Sequence, residues 1–286
     1  MPNLLLRLAV VLAGWLARRS LATQAYLGGA LGRLMLLSTQ MRRRLRDNLT
    51  VSSYAERVSS AAAATGIGRM ALETAAVWST PDAVLLGRIR RVDGWDHVLA
   101  AHDAGRGLIF LTPHLATFEY ASLFIGSQLP ITVMFRPPRV AWAEPLMRKG
   151  RDRLQIKSEP AEMSGIRAML KALRRGECIG LLPDQVPTGG DGVWAPFFGR
   201  PAYTMTLVQK LARTTSAQVV MIVCVRLPRG AGYRLVFTPL PPFSDAPQTA
   251  ARELNAAVEQ AIALAPDQYL WSYNRYKVPA GAGVPP

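Results

Sequence analysis

Two residues five positions apart, His114 and Glu119, stand in the segment GLIFLTPHLATFEYASLFIG over residues 107–126. An imidazole with one ring nitrogen held by a carboxylate keeps a single tautomer, and its other nitrogen is then free to take a proton from a hydroxyl. On one regular helix five residues turn about 500°, which leaves two side chains roughly 140° apart around the axis. The pair therefore meets only if His114 lies in the loop before a helix and Glu119 reaches back from its first turns. An ordinary histidine near a helix start, with Glu119 complementing the helix dipole, accounts for the same two residues.

The surrounding pattern supplies such a loop. Short apolar runs bounded by Gly or Pro read as strands at 107–112, 131–135, 178–182, 218–226 and 233–238. Helical patterns fall near 95–104, 114–127, 142–152, 162–175, 203–215 and 248–264, with an Ala-rich helix over 52–79 that Pro81 stops. The clearest helix is 162–175, with Ile166, Met169, Leu170 and Leu173 on one face, Arg167, Lys171 and Arg174 on the other, and Gly176 at its C-terminal end. Alternation of strands and helices implies an α/β fold, a single domain whose mostly parallel central sheet is flanked by helices. The exception is 218–238, where PRGAG between two strands implies a hairpin and an antiparallel edge. In such sheets ligands gather beyond the C-terminal ends of the strands, where His114 falls.

Composition narrows the partners. The chain has 286 residues, a net charge of +15 and 50% hydrophobic residues, so it can bury a large core and is not disordered. Residues 1–46 hold eight arginines and no acid, so over half the net charge sits on the first sixth of the chain. That segment is also apolar: Leu4–Ala17 is broken only by Arg7 and Gly14, and a second run spans Leu21–Met41. We read it as an N-terminal apolar helical membrane anchor, with Arg42, Arg43, Arg44 and Arg46 facing anionic lipid headgroups. The basic residues alternate with Leu and Ala rather than with stacking aromatics, so no nucleic acid is expected as partner. Cys178 and Cys224 have no metal-ligand spacing, and His97 and His102 lie on a helix without a zinc pattern, so no metal is expected. Gly66-Ile67-Gly68-Arg69-Met70-Ala71 matches a dinucleotide-binding pattern but follows an Ala-rich helix rather than a strand, and no G-x-S-x-G elbow or P-loop occurs.

His114-Leu115-Ala116-Thr117-Phe118-Glu119 is an H-x4-E signature, and further stretches accompany it. They are Phe135-Arg136-Pro137-Pro138, Arg148-Lys149-Gly150-Arg151, Leu182-Pro183-Asp184-Gln185, the block from Val193 through Thr204, and Gln268-Tyr269-Leu270-Trp271 with Arg275-Tyr276-Lys277. Together, over about residues 80–278, these stretches resemble the late acyltransferases of lipid A biosynthesis, the lauroyl and myristoyl transferases of the lysophospholipid acyltransferase superfamily. Tyr273-Asn274, where His-Arg is common, and the glycine-rich 187–192 depart from the family pattern. The resemblance implies that His114 deprotonates an acceptor hydroxyl, which attacks an acyl thioester on acyl carrier protein with no covalent intermediate, while Glu119 orients His114. It implies substrate-binding roles for Arg136 and Arg151 toward anionic groups or the oxyanion, and for Asp184 and Gln185 at the polar end of the site. Gly189, Gly190 and Gly192 would let backbone N–H groups approach phosphate.

On the same grounds the partners are acyl carrier protein, a lipid A precursor and membrane lipids, with no cofactor beyond the acyl donor, at the cytoplasmic face of the cell inner membrane. The expected division is a membrane-anchoring segment 1–46, an acyltransferase domain 47–278 and a flexible tail 279–286. Two other functions fit the residues: an acyltransferase for a lysophospholipid or other glycolipid, and a non-catalytic protein of the same fold that binds anionic lipid.

Overall fold

The computed structural model describes residues 2–136, 144–188 and 190–286. Five helices come first: α1 (Pro2–Ala17), α2 (Leu21–Met35), α3 (Thr39–Val51), α4 (Ser60–Ser79) and the short α5 (Asp82–Leu86). Strands and helices then alternate through β1 (Ile89–Asp93), α6 (Trp95–Asp103), β2 (Leu108–Leu111), α7 (Glu119–Gln128), β3 (Ile131–Phe135), α8 (Glu144–Arg151), β4 (Ile156–Pro160), α9 (Met163–Arg174) and β5 (Cys178–Leu181). The chain continues with β6 (Gly192–Phe197), β7 (Arg200–Met205), α10 (Leu207–Thr215), β8 (Gln218–Arg226), β9 (Tyr233–Pro239) and α11 (Pro247–Ala263), followed by a single turn over Pro266–Gln268.

Seven strands form one sheet in the order β1-β9-β8-β2-β5-β3-β4. All neighbours run parallel except β8 and β9, which pair antiparallel from Val220↔Pro239 to Arg226↔Tyr233. The expected hairpin is there, but β1 pairs outside β9, so the hairpin is not the edge. β1 and β4 escape the sequence reading because neither IRRVD nor IKSEP is a continuous apolar run. β6 and β7 form a separate antiparallel pair, closed by Phe198 and Gly199 with φ of 48° and 74°, the positive-φ pair that a tight hairpin turn requires. β7 takes residues 203–205 from the expected helix, so α10 begins at Leu207.

Alternate residues of the central strands feed two cores, as a covered parallel sheet demands. Ile109 and Leu111 of β2 pack with α9, α10 and α11 on one face. Leu108 and Phe110 pack with α6 and α7 on the other.

The N-terminal anchor expected from the sequence is corrected here. No helix among the described residues is long and apolar enough to cross a membrane. α1 has 16 residues, which at 1.5 Å each give about 24 Å against roughly 30 Å of hydrocarbon. Arg18 and Arg19 end it, and the Ser20 hydroxyl caps α2 by accepting from the Thr23 N–H. Part of the segment packs within the protein, with Ala13, Leu16 and Leu45 buried and both α1 and α2 against α4, while Leu8, Val11, Leu12, Tyr26, Leu34 and Leu37 are exposed. The α2–α4 crossing is closed by glycines. A Cβ on Gly28 would lie 2.6 Å from the Arg69 Cα, and one on Gly32 or Gly68 would collide with the Ala64 or Gly28 carbonyl oxygen, respectively. Of the dinucleotide-like pattern, Gly68 therefore serves the α2–α4 crossing, and Gly66 lies against the turn at Asp267 and Gln268. Gly68→Val should lower the unfolding free energy by about 1–3 kcal/mol or more through overpacking, read as a lower denaturant midpoint at unchanged slope.

Candidate active site

The parallel pairing of β2 with β5 aligns Leu111 with Leu181, and the Thr112 N–H donates to the Leu181 carbonyl. Three residues beyond each aligned end stand His114 and Asp184. Equal offsets on adjacent parallel strands bring the two side chains together. The Asp184 carboxylate accepts from the His114 backbone N–H through Oδ2 at 2.9 Å and meets His114 Nδ1 through Oδ1 at 2.9 Å. Asp184 is buried at 3% exposure. Burial pushes its carboxyl up, but the His114 charge and hydrogen bonds outweigh this and hold it below the usual carboxylate range. The Tyr269 phenol, buried next to it, is raised well above its ordinary value by burial and by that carboxylate.

With Nδ1–H given to Asp184, the other ring nitrogen of His114 is an acceptor. Nε2 lies 3.1 Å from Gln185 Nε2, whose amide N–H donates to it. The Phe118 ring flanks the imidazole with centroids 5.1 Å apart.

Glu119 is placed elsewhere. It opens α7, nine-tenths buried or more, and both its oxygens accept from the Arg151 Nε at 3.1 Å, with a further bond from Arg151 Nη2. Among the described residues no hydrogen bond joins Glu119 to His114. Burial alone would lower the Arg151 guanidinium, but the Glu119 charge and hydrogen bonds leave it above its ordinary value. The Trp78 ring lies 5.7 Å from the Arg151 guanidinium carbon. The sequence reading separated these two residues into different roles; the fold couples them as one buried ion pair at the site.

His114, Arg136, Arg151 and Gln185 all line one cavity of about 550 Å³. Arg136 stands exposed at the end of β3. Pro137 and Pro138 lie outside the described residues, as does Gly189. Gly190 adopts φ +79°, and Gly192 starts β6. The polar rim also carries Asp191 and Lys210, which the sequence does not mark because neither directly follows an expected strand. The rest of the cavity is apolar and runs between α9 and α10, past Ile166, Leu170, Leu207 and Leu211. The same amphipathic helix that was clearest in the sequence thus lends part of its apolar face to a cavity instead of the core.

The C-terminal signature braces this site from outside. Leu115 forms an antiparallel bridge with Tyr269, and the Leu270 N–H donates to the His114 carbonyl at 3.0 Å. Arg275, 3% exposed, donates to the Tyr203 carbonyl at 2.7 Å and to Thr204 Oγ1 at 2.8 Å. Among the described residues no three His, Cys, Asp or Glu side chains cluster as a metal site.

Residues 5–278 match the family model described as bacterial lipid A biosynthesis acyltransferase. The chain is 32% identical over 226 residues to the lipid A biosynthesis lauroyltransferase of Escherichia coli (strain K12), which covers 77% of this chain and 71% of that protein. It is 29% identical over 218 residues to the lipid A biosynthesis palmitoleoyltransferase of the same strain, covering 74% and 69%. A lipid A biosynthesis acyltransferase of Haemophilus influenzae (strain ATCC 51907 / DSM 11121 / KW20 / Rd) is 28% identical over 179 residues, covering 62% and 56%. With a histidine held by a carboxylate at the mouth of a part-apolar cavity, and with a family match over nearly its whole length, this chain belongs to the bacterial lipid A biosynthesis acyltransferase family.

Proposed function

We propose that the protein moves a fatty acyl chain from an acyl carrier protein thioester to a hydroxyl of a lipid A precursor, with His114 as general base, Asp184 as the carboxylate that holds it, and no covalent intermediate. One observation carries this: the Nε2 face of a histidine locked through Nδ1 opens on a cavity that is polar at its rim and apolar along α9 and α10. The acyl chain lies along Ile166, Leu170 and Leu211, with its thioester carbonyl at the rim. The acceptor oxygen displaces the Gln185 amide from Nε2, attacks the carbonyl carbon and gives its proton to Nε2. The tetrahedral oxyanion forms beside Arg151, and collapse breaks the C–S bond while the imidazolium returns the proton to the leaving thiolate. Ester and thiol are the products, and charge and protons balance.

Glu119 supports this chemistry through Arg151. Its carboxylate fixes the guanidinium in one orientation, so no reorganisation is needed when negative charge develops at the carbonyl. Arg136 and Lys210 at the rim suit the phosphates of an anionic acceptor, since a guanidinium binds them bidentately. A cysteine nucleophile is disfavoured: both thiols are buried, and burial pushes Cys178 up to about 12 and Cys224 higher still. The two substrates set the place of reaction, the carrier protein approaching from the cytoplasm and the acceptor lying in the inner membrane, so the site works at that membrane's cytoplasmic face.

Three measurements test the reading. His114→Ala should abolish transfer from acyl carrier protein thioester to a lipid A precursor while the protein folds as before; full activity in that variant contradicts it. Asp184→Asn should lower kcat by roughly 10²–10⁴-fold with KM much less affected, because the ring loses its anionic partner. Leu211→Trp should fill the channel and lower kcat/KM for long acyl chains far more than for short ones, at about 0.8 kcal/mol per excluded methylene. Transfer by the wild-type enzyme to a lysophospholipid but not to a lipid A precursor would replace the acceptor in this account.

A further inference from the structure

Outside the site lies a buried ion pair that the mechanism does not use. Glu73 of α4 is 2% exposed and Arg226, at the end of β8, is 8% exposed. They meet bidentately, Arg226 Nε to one oxygen and Nη2 to the other, both at 2.6 Å. The Thr117 hydroxyl, fully buried, donates to the same Glu73 carboxylate. Gln268 then ties to Arg226 three times: its Oε1 accepts from the Arg226 N–H at 3.1 Å and from Nη1 at 3.3 Å, and its amide donates to the Arg226 carbonyl at 3.2 Å. From Gln268 the chain of bonds returns to the loop, because its backbone carbonyl accepts from the Ala116 N–H at 2.9 Å.

Both ends of this network grip the residues directly after His114. Ala116 has φ +50°, a left-handed backbone that a residue with a Cβ rarely adopts and that persists only when its surroundings over-determine it. The hydrogen bonds that the Ala116 N–H donates to the Gln268 carbonyl and the Thr117 hydroxyl donates to Glu73 are such constraints. A buried ion pair is weak evidence for stability, since desolvation offsets much of its attraction, whereas its fixed geometry specifies one conformation over others.

We propose that Glu73 is a positioning residue for acyl transfer: through Thr117 directly, and through Arg226 and Gln268 at Ala116, it holds the 114–117 loop in the one conformation that points His114 Nε2 into the cavity. The proposal deepens the reading of His114 as general base and rests on it for its kinetic effect. Glu73 touches neither substrate nor the imidazole. Its carboxylate holds the loop through the Thr117 hydroxyl, while Asp184 holds the ring and the backbone N–H of His114.

Thr117 gives the test that spares the ion pair. Thr117→Val keeps shape and burial and removes only the hydroxyl; Thr117→Ser keeps the hydroxyl. With acyl carrier protein thioester and lipid A precursor, Thr117→Val should lower kcat about 10-fold or more with both KM values within about twofold of wild type, and Thr117→Ser should restore most of the rate. In ¹⁵N spectra the His114 Nδ1–H signal, identified by its loss in His114→Ala, should shift or broaden in Thr117→Val and stay in place in Thr117→Ser. Glu73→Gln should reproduce the Thr117→Val kinetics if it folds, and adding Thr117→Val to it should then cost nothing further. A Thr117→Val rate within about twofold of wild type, a loss shared equally by Thr117→Ser, or a change in KM alone overturns the proposal. If the wild-type protein transfers no acyl group, the assignment of His114 fails, and the ring signal in the two Thr117 variants still decides whether the network sets the loop.

Discussion

The site depends on the parallel pairing of β2 with β5. Parallel strands in register advance together, so residues at equal offsets beyond their aligned ends emerge side by side at one rim of the sheet. That constraint puts Asp184 against His114 although 70 residues of chain, including three helices and three strands, separate them. A slip of one residue would turn every β5 side chain to the opposite face and take the carboxylate from the ring. The two cores on either side of the sheet resist such a slip, since Ile109 and Leu111 belong to one and Leu108 and Phe110 to the other.

Two buried carboxylates sit within a few residues of His114 in space or sequence, and their partners sort them. Asp184 takes the imidazole; Glu119 takes the Arg151 guanidinium. Each buried carboxylate thereby has a hydrogen-bonding partner of basic character, which offsets the cost of taking it out of water. The arrangement leaves His114 and Arg151 on one cavity, the first from the loop after β2 and the second from the end of α8. The apolar channel between α9 and α10 begins where those polar groups end.

Much of this was legible in the sequence, and the failures have physical reasons. β3 and β8 have the bounds read from their apolar runs, and α9 lies within a residue of its amphipathic pattern. His114 stands out in the sequence because a histidine after a strand and a proline is a local signal. The partnership of Asp184 was not, because it follows from strand order and register, neither of which a single sequence states; an H-x4-E spacing pointed to Glu119 instead. The run Leu21–Met41 read as membrane-seeking because apolar residues and arginines are common to a lipid-facing helix and to one packed on another helix. What separates the two is the use of Gly28 and Gly32 as contact points on α4, and their partner, Gly68, lies 36 residues away from the nearer of them in another helix. Glu73 gave no signal at all, since its partners Thr117 and Arg226 are distant in the chain and its burial is a property of the fold.

The account rests on which carboxylate holds His114 and on which ring nitrogen is left as the base. Imidazole ¹⁵N spectra of the wild-type protein at neutral pH, compared with Asp184→Asn and Glu119→Gln, measure both at once. The account predicts a proton on Nδ1 and a bare Nε2, with the Nδ1–H signal displaced or lost in Asp184→Asn and retained in Glu119→Gln. A proton resident on Nε2, or a signal that responds to Glu119→Gln and ignores Asp184→Asn, would contradict it.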